Sequence, residues 1–170
     1  VDWVLDHTSP GKPCEYAGER LPCSVVRNNA AFNSGSVGSP GGGVGYIGNE
    51  AGSQRGIFRF SRTLFTENHD YNGGKAAVAV ANGTSEMMFE RCIFVGNEAD
   101  TGNDGAMLRN APGIGLRFVY NTVLANSVDT LFYMDRGLLR TQGSILWSPG
   151  AEVWTLGGGG SLGNNACAVP

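Results

Sequence analysis

The chain has 170 residues, a formal net charge of -3, 41% hydrophobic residues and 16% charged residues. This length and hydrophobic content suit one domain with its own core. A net charge of -3 does not indicate the basic patch of a nucleic-acid-binding domain, so we expect no nucleic-acid partner. No apolar run approaches the roughly 20 residues that a spanning helix needs, so we expect no membrane span. Val1 is not Met and no signal peptide precedes it, so we expect a processed chain or a fragment.

Residues 1–23 contain a strand-like segment, VDWVL, and a polar loop flanked by Cys14 and Cys23. A disulfide between these cysteines would staple an insertion that has little core of its own, and it would favour an exported protein. The alternative is two free thiols in a cytosolic protein, because spacing alone does not prove a bridge. A zinc site is not expected, since no second Cys or His pair lies nearby.

Three segments then superimpose at one fixed offset of 29, and they span positions 58–68, 87–97 and 116–126. The offset aligns three columns of residues, which are Phe60, Phe89 and Phe118; Phe65, Phe94 and Val123; and Asn68, Asn97 and Asn126. A fixed period of this length is typical of repeat architectures.

Two flanking segments extend the register with irregular offsets. Residues 23–33 match at an offset of 35, which aligns Ala30 with Phe65 and Asn33 with Asn68. Residues 138–148 match at an offset of 22, which aligns Ile145 with Val123 and Ser148 with Asn126. Insertions between repeats are expected to lie in loops.

Each unit has two short apolar segments separated by two residues, and a third strand fits the glycine-rich segments 42–49, 75–82 and 104–110. Phe60 and Phe65 are five residues apart, so both face inward only if the chain turns between them. The pattern predicts an all-β, right-handed parallel β-helix of about six coils, in one solenoid domain. Its coils would occupy residues 24–148, after a partial first coil in residues 1–23 and before an irregular tail or cap in residues 149–170.

The Asn column predicts a ladder of stacked side-chain amides at one corner, formed by Asn33, Asn68, Asn97 and Asn126. Asn also tolerates the left-handed backbone that such corners need. The alternative is that these residues are turn-forming Asn side chains that face water. Both interpretations are structural.

Two charged columns are candidate sites. We place Arg27, Arg62 and Arg91 at one corner, where they could bind an anionic glycan or pair with Glu67, Glu86 or Glu90. Asp100 and Asp129 are separated by the same offset as the three segments, with Asp70 nearby. Such oxygen ligands could hold Ca²⁺, or they could be ordinary Asp residues in turns, and we expect no other cofactor. Cys92 aligns with Thr63 and Asn121, which indicates a small packed side chain rather than a nucleophile.

The segments GGKAAV and DGAML, together with FTEN and FVGN, resemble the repeats of the chlamydial polymorphic outer membrane proteins. They are also similar to the broader bacterial right-handed parallel β-helix repeat proteins. The resemblance covers residues 24–148, and the loop with Cys14 and Cys23 and the C-terminal tail depart from it. It implies an exported, cell-surface protein, and such repeats support adhesion, glycan binding, glycan cleavage or a structural stalk.

The catalytic motifs of related β-helix enzymes do not fit. The segment WVLDH resembles the WIDH element of pectate lyases with one extra residue, but Arg109, Pro112 and Arg117 break the Arg-x-Pro-x-x-Arg pattern of those enzymes. We assign no catalytic residue. We therefore expect an extracellular, noncatalytic structural, adhesive or glycan-binding module, whose partner is a polysaccharide or a cell-surface glycan. The alternatives are a fragment of a polysaccharide-active lyase or hydrolase, and a filament subunit that associates end to end through open strand edges.

Overall fold

The structure is a computed structural model. It describes residues 3–8, 13–16, 19–22, 24–32, 44–47, 56–71, 76–81, 85–100, 105–110, 115–135, 137–156, 160–163 and 166–168. The described part of the chain contains strands, turns and bends but no helix. It accordingly has no helix that is long and apolar enough to cross a bilayer.

The strands are short and follow one another closely along the chain. The first eleven are β1 (Trp3–Thr8), β2 (Pro13–Tyr16), β3 (Glu19–Pro22), β4 (Ser24–Arg27), β5 (Ala30–Phe32), β6 (Gly45–Ile47), β7 (Gly56–Ser61), β8 (Thr63–Thr66), β9 (His69–Tyr71), β10 (Ala76–Ala81) and β11 (Glu86–Glu90). The next eleven are β12 (Ile93–Val95), β13 (Glu98–Ala99), β14 (Ala106–Asn110), β15 (Gly115–Val119), β16 (Thr122–Leu124), β17 (Thr130–Met134), β18 (Leu138–Gln142), β19 (Ile145–Trp147), β20 (Glu152–Leu156), β21 (Gly160–Gly163) and β22 (Ala166–Ala168).

Four parallel sheets contain all of these strands except β2 and β3, which form a separate antiparallel hairpin. The first sheet has the order β1-β7-β11-β15-β18-β21, and the second has the order β4-β8-β12-β16-β19-β22. The third sheet is β5-β9-β13, and the fourth is β6-β10-β14-β17-β20. The chain visits the sheets in this order and then returns to the first, so each passage adds one strand to the sheets that it visits.

Alternating side chains explain why the strands face a common core. Gly56–Ser61 alternates buried and partly buried residues, which is the period-two pattern of a strand with one inward face. Phe60, Phe89 and Phe118 pair in register across β7, β11 and β15. The rings of Phe60 and Phe89 stack at 5.9 Å with an interplanar angle of 10°. The repeated Phe column therefore forms the centre of the core, as the sequence predicts.

A second aromatic column lies beside the first. The rings of Phe65 and Phe94 stack at 4.8 Å, and Phe89 and Phe94 meet edge to face at 5.4 Å. Burial of these rings on one inward side fixes the strand register, because a slip of one residue would turn them outward.

Two corner positions recur with left-handed backbone. The corner between the first and second sheets has positive φ at Arg62, Arg91, Tyr120 and Gly143. The corner between the second and third sheets has positive φ at Asn28, Glu67, Gly96 and Ala125. Each of these residues directly precedes the residue that occupies the repeated column at its corner. At the second corner, the left-handed conformation therefore belongs to the residue before each column Asn and not to the Asn itself.

The Asn side chains form a continuous hydrogen-bonded ladder inside the second corner. Asn68 Nδ2 donates to Asn97 Oδ1 at 2.8 Å, and Asn97 Nδ2 donates to Asn126 Oδ1 at 2.8 Å. The ladder ends at Ser148, whose hydroxyl accepts from Asn126 N at 2.8 Å. At the other end Asn29, not Asn33, donates to Asn68 Oδ1 at 2.9 Å. Asn33 lies outside the described residues.

Two predicted alignments were wrong by a few residues. Val26, rather than Ala30, pairs with Phe65, so the offset of the first repeat here is 39 instead of 35. Leu146 pairs with Val123, so Ile145 faces outward and is 50% exposed. In the other repeats, one left-handed residue separates the end of the second-sheet strand from the ladder residue. Here Ser148 follows Trp147 directly, so the corner is one residue shorter and the strand is shifted by one position.

The number of strands also differs from the expectation. The third sheet adds a fourth short strand, β5, β9 or β13, to three of the repeats, where the sequence predicts three strands in each unit. The segment 149–170, expected as an irregular tail or cap, contributes β20, β21 and β22 to three sheets. Because the segment is rich in glycine, its strands show little alternation of polar and apolar side chains in the sequence.

Candidate ligand-binding face

The outer face of the first sheet carries a row of long side chains in register. Arg59, Met88, Arg117 and Arg140 occupy equivalent positions on β7, β11, β15 and β18. Their neighbours Phe60, Phe89 and Phe118 point into the core, so the row points outward by strand alternation. We call these four residues the arginine row.

Two adjoining cavities lie along the arginine row. One, of about 320 Å³, is lined by Arg59, Met88, Glu90 and Arg117 with the neighbouring strand residues. The other, of about 220 Å³, is lined by Glu86, Met88, Arg117 and Arg140 with their neighbours. Met88 and Arg117 line both cavities, so the two form one interrupted depression across the sheet.

Gly115 keeps the second cavity open. A Cβ atom at this position would lie 2.6 Å from the backbone oxygen of Leu138, which is too close for any side chain. The sheet therefore has no side chain between Glu86 and Leu138, the two residues that flank Gly115 on the neighbouring strands.

The charges on this face are mixed. Asp6 of β1 lies in register with Arg59, so an acidic residue follows the row on the neighbouring strand. Arg117 and Arg140 are exposed, whereas Arg59 is partly buried with its Nη2 atom 3.7 Å from Met88 Sδ. Glu86 and Glu90 occupy the positions on β11 to either side of Met88. Three guanidinium groups within four neighbouring strands give planar donors for carboxylate, sulfate or phosphate groups.

The predicted arginine corner lies at one edge of the same face, with one exception. Arg62 and Arg91 both have left-handed φ, 49° and 55°, directly after β7 and β11. Arg27 instead pairs with Thr66 in the second sheet, so the placement of Arg27 in this corner was wrong. The cause is the changed offset. With 39 in place of 35, position 23 rather than position 27 is aligned with Arg62.

The corner also shows the intramolecular pairing that the sequence left open. Arg91 Nε lies 3.8 Å from Glu90 Oε1, and both side chains are more than half exposed. Such an exposed pair contributes little to stability.

Asp100 and Asp129 do not form a shared cluster. Asp100 Oδ1 lies 3.3 Å from His69 Nε2, while Asp129 Oδ2 accepts a hydrogen bond from Gly105 N at 3.2 Å. Glu98 Oε2 lies 3.6 Å from the other ring nitrogen of His69. Within the described ranges, no group of three or more His, Cys, Asp or Glu side chains is arranged to hold a metal ion.

Asp70 is a buried carboxyl group next to this His69 cluster. It is 1% exposed, and its Oδ2 atom accepts from Ala76 N at 3.0 Å. Its Oδ1 atom is buried without a hydrogen-bond partner among the described residues. Burial raises the pKa of Asp70 from 3.8 to about 6, against the lowering effect of the Ala76 hydrogen bond. Nearby Asp100 adds to the rise in pKa, and His69 opposes it. The carboxyl therefore titrates at mildly acidic pH.

The cysteines have separate positions. Cys14 lies in β2 and Cys23 lies outside the described residues, so their disulfide stays a prediction. Cys92 is 1% exposed, and burial raises its pKa to about 12. Its backbone N–H donates to Asn121 Oδ1 at 2.7 Å, which makes it part of a second polar column at the first corner.

The arginine row escaped the sequence analysis although a signal was present. Arg59, Met88 and Arg117 follow the same spacing as the Phe columns. The Met in the middle interrupts the charge pattern, and Arg140 joins only through the irregular spacing of β18. A search for outward columns at that spacing would have found three of the four residues.

Comparisons with known proteins assign no function to this face. The sequence matches no protein-family model. It has no significant match among curated proteins, and no solved structure matches it significantly. The role of the face therefore has to be inferred from its own geometry and charge.

Proposed function

We propose that this chain is a right-handed parallel β-helix of about six coils that acts as an exported, noncatalytic module and binds an anionic polysaccharide. Four parallel sheets visited in constant order support the solenoid, and parallel crossovers are right-handed in nearly all proteins. The resemblance of its repeats to bacterial surface proteins supports export. The arginine row on the first sheet carries the binding proposal.

The spacing of the row suits an extended polymer. Neighbouring strands lie about 4.8 Å apart, so Arg117 and Arg140 are one strand spacing apart and Arg59 lies about 10 Å beyond Arg117. A chain that runs across the strands would meet the three guanidinium groups in succession. Each guanidinium can donate two parallel hydrogen bonds to a planar carboxylate or to two sulfate oxygens.

Met88 gives the face an apolar surface between the charges. It is partly buried between Arg59 and Arg117 and lines both cavities. The carbon face of a sugar ring can pack on such a side chain while its acidic groups reach the arginines. This alternation of apolar and cationic contacts favours an acidic polysaccharide over an isolated small anion.

The carboxylates on the face favour binding over cleavage. Glu86 and Glu90 are four residues apart on one strand, about 13 Å between Cα atoms. Glycosidase carboxylate pairs lie about 5 to 9.5 Å apart around the scissile bond. Each glutamate lines a different one of the two cavities, so the two carboxylates do not face one shared bond.

Binding to a panel of acidic and neutral polysaccharides tests the proposal. Arg117→Ala removes the residue shared by both cavities and should weaken binding about tenfold or more, since a charged hydrogen bond contributes about 1.5 to 3 kcal/mol. Arg27→Ala is the matched control, because Arg27 is exposed but belongs to the second sheet. Affinity should also fall as salt rises.

Two results would contradict the proposal. One is equal binding by wild type and Arg117→Ala, and the other is no binding of any acidic polysaccharide by wild type. Release of reducing ends or unsaturated uronates in the same mixtures would instead favour the polysaccharide-active enzyme.

A further inference from the structure

Arg109 is a buried arginine on a different sheet from the arginine row. It lies in β14 of the fourth sheet, in register with Val80 of β10 and Tyr133 of β17. Tyr133 is partly exposed between Phe132 and Met134, which belong to the core cluster, so Tyr133 and its register partner Arg109 lie on the outer side of the sheet. Even so, Arg109 is only 8% exposed.

The surroundings of Arg109 leave its positive charge incompletely compensated. Its Cζ atom lies 4.0 Å above the ring centroid of Tyr133, a cation–π contact that stabilises the charge but uses no N–H donor. The Nε and Nη1 atoms are buried and have no hydrogen-bond partner within the part of the chain that the structure describes. A guanidinium stays charged in proteins, so it cannot relieve this by losing a proton.

A buried charge with unpaired donors indicates an absent acceptor. Val80 on one neighbouring strand is apolar, and Tyr133 on the other presents its ring face rather than its edge. Buried polar groups in folded proteins nearly always have partners, and an unpaired one calls for a bound ion or water. A charged acceptor suits this position best, because burying an unpaired ion is strongly unfavourable.

We propose that Arg109 is the anchor of a binding site for an oxyanion, either a carboxylate or a phosphate-type group. The oxyanion accepts a hydrogen bond from one of the two unpaired donors, Nε or Nη1, while Tyr133 covers one face of the guanidinium plane. The apolar neighbour Val80 excludes water and strengthens the ion pair. This site goes beyond the polysaccharide proposal, because it lies on the fourth sheet and does not use the first.

Thermal unfolding with added anions tests the site. Acetate, inorganic phosphate and sulfate are titrated separately at constant ionic strength, with chloride as the balancing ion. Wild type should show a saturable rise of a few degrees in its unfolding midpoint with at least one anion. A larger rise with acetate would assign a carboxylate, and a larger rise with phosphate or sulfate would assign a phosphate-type group.

Two variants separate Arg109 from general salt effects. Arg109→Met should lose the anion-dependent rise and should be at least as stable as wild type without anion, because it removes an unpaired buried charge. Arg117→Met makes the same change in the arginine row and should respond to anions as wild type does. An equal anion response in Arg109→Met and wild type would overturn the proposal.

A second measurement on wild type does not depend on the folding of a variant. The side-chain Nε–H resonance of Arg109 in a ¹⁵N spectrum should shift saturably with the same anion that raises the midpoint. A resonance that stays in place while the midpoint rises, or a midpoint unchanged by all three anions, would contradict the site.

Discussion

Asn97 Nδ2 donates a hydrogen bond of 2.8 Å to Asn126 Oδ1, and both side chains are buried inside the second corner. The same Nδ2 atom also donates to the backbone oxygen of Phe65 at 3.1 Å. Each ladder Asn therefore links its own corner to the corner of the next repeat and to the strand before it. This arrangement converts a column of turn residues into a continuous element of the core.

Asn97→Ala should destabilise the protein by about 3 kcal/mol, because an unsatisfied buried group costs about 1 to 3 kcal/mol and more than one group loses its partner. The change leaves the backbone N–H of Asn68, which now donates to Asn97 Oδ1 at 3.2 Å, buried and unpaired. The oxygen of Phe65 also loses a donor. Urea unfolding would measure the difference. Ser127→Ala at an exposed position is the control, and an equal effect of the two substitutions would contradict the role of the ladder.

Asp70→Asn should remove a pH-dependent loss of stability. The folded state holds the Asp70 proton up to about pH 6, whereas the ordinary pKa of this carboxyl is 3.8. The proton on Asp70 therefore stabilises the folded state. This stabilisation is complete below pH 3.8 and is lost as the pH rises through 6. The shift corresponds to about 3 kcal/mol.

Unfolding free energies of wild type and Asp70→Asn at several pH values would check this linkage. The variant should be more stable than wild type at pH 7 and similar to it near pH 4, because the amide resembles the protonated carboxyl. A constant difference between the two proteins across this range would exclude the titration of Asp70 as the cause.

Gly143→Ala should cost more stability than Gly96→Ala, although both glycines have nearly the same φ, 58° and 61°. A Cβ at Gly143 would lie 2.5 Å from the Tyr120 ring, whereas a Cβ at Gly96 would meet no described residue within 4 Å. Gly96→Ala then measures the left-handed backbone alone, about 1 to 2 kcal/mol.

The double change Tyr120→Ala with Gly143→Ala tests the clash directly by thermal or urea unfolding. Once the ring is absent, the added cost of Gly143→Ala should fall to that of Gly96→Ala. An undiminished cost would place the strain in the backbone of the corner rather than in the contact with Tyr120.

Cys92 should resist thiol reagents in the folded protein. Its side chain is 1% exposed and burial raises its pKa to about 12, so little thiolate is present at neutral pH. Labelling with a maleimide, followed by mass spectrometry of the peptide that contains Cys92, should show modification only after unfolding. Rapid labelling under native conditions would contradict the packed position of this residue.

The regular part of the fold could be predicted because three repeats share one spacing. Phe60, Phe89 and Phe118 recur at a constant interval, and only parallel pairing in register buries all three on one side. The irregular repeats could not be aligned in the same way. Asn28, Asn29 and Asn33 are chemically alike, and only the pairing of Val26 with Phe65 selects Asn29 for the ladder.

In the three regular repeats the inward residues could be read from the chain alone, because strand alternation and a constant repeat length are local properties. Which outward residues become neighbours, and which charged groups are buried, depends on how the strands pair and pack. Arg140 joins Arg59 and Arg117 only when β18 pairs with β15, and Arg109 and Asp70 become buried only when the sheets assemble. Desolvation and ion pairing depend on groups that are distant in sequence, so the candidate sites emerge from the packed sheets rather than from any motif.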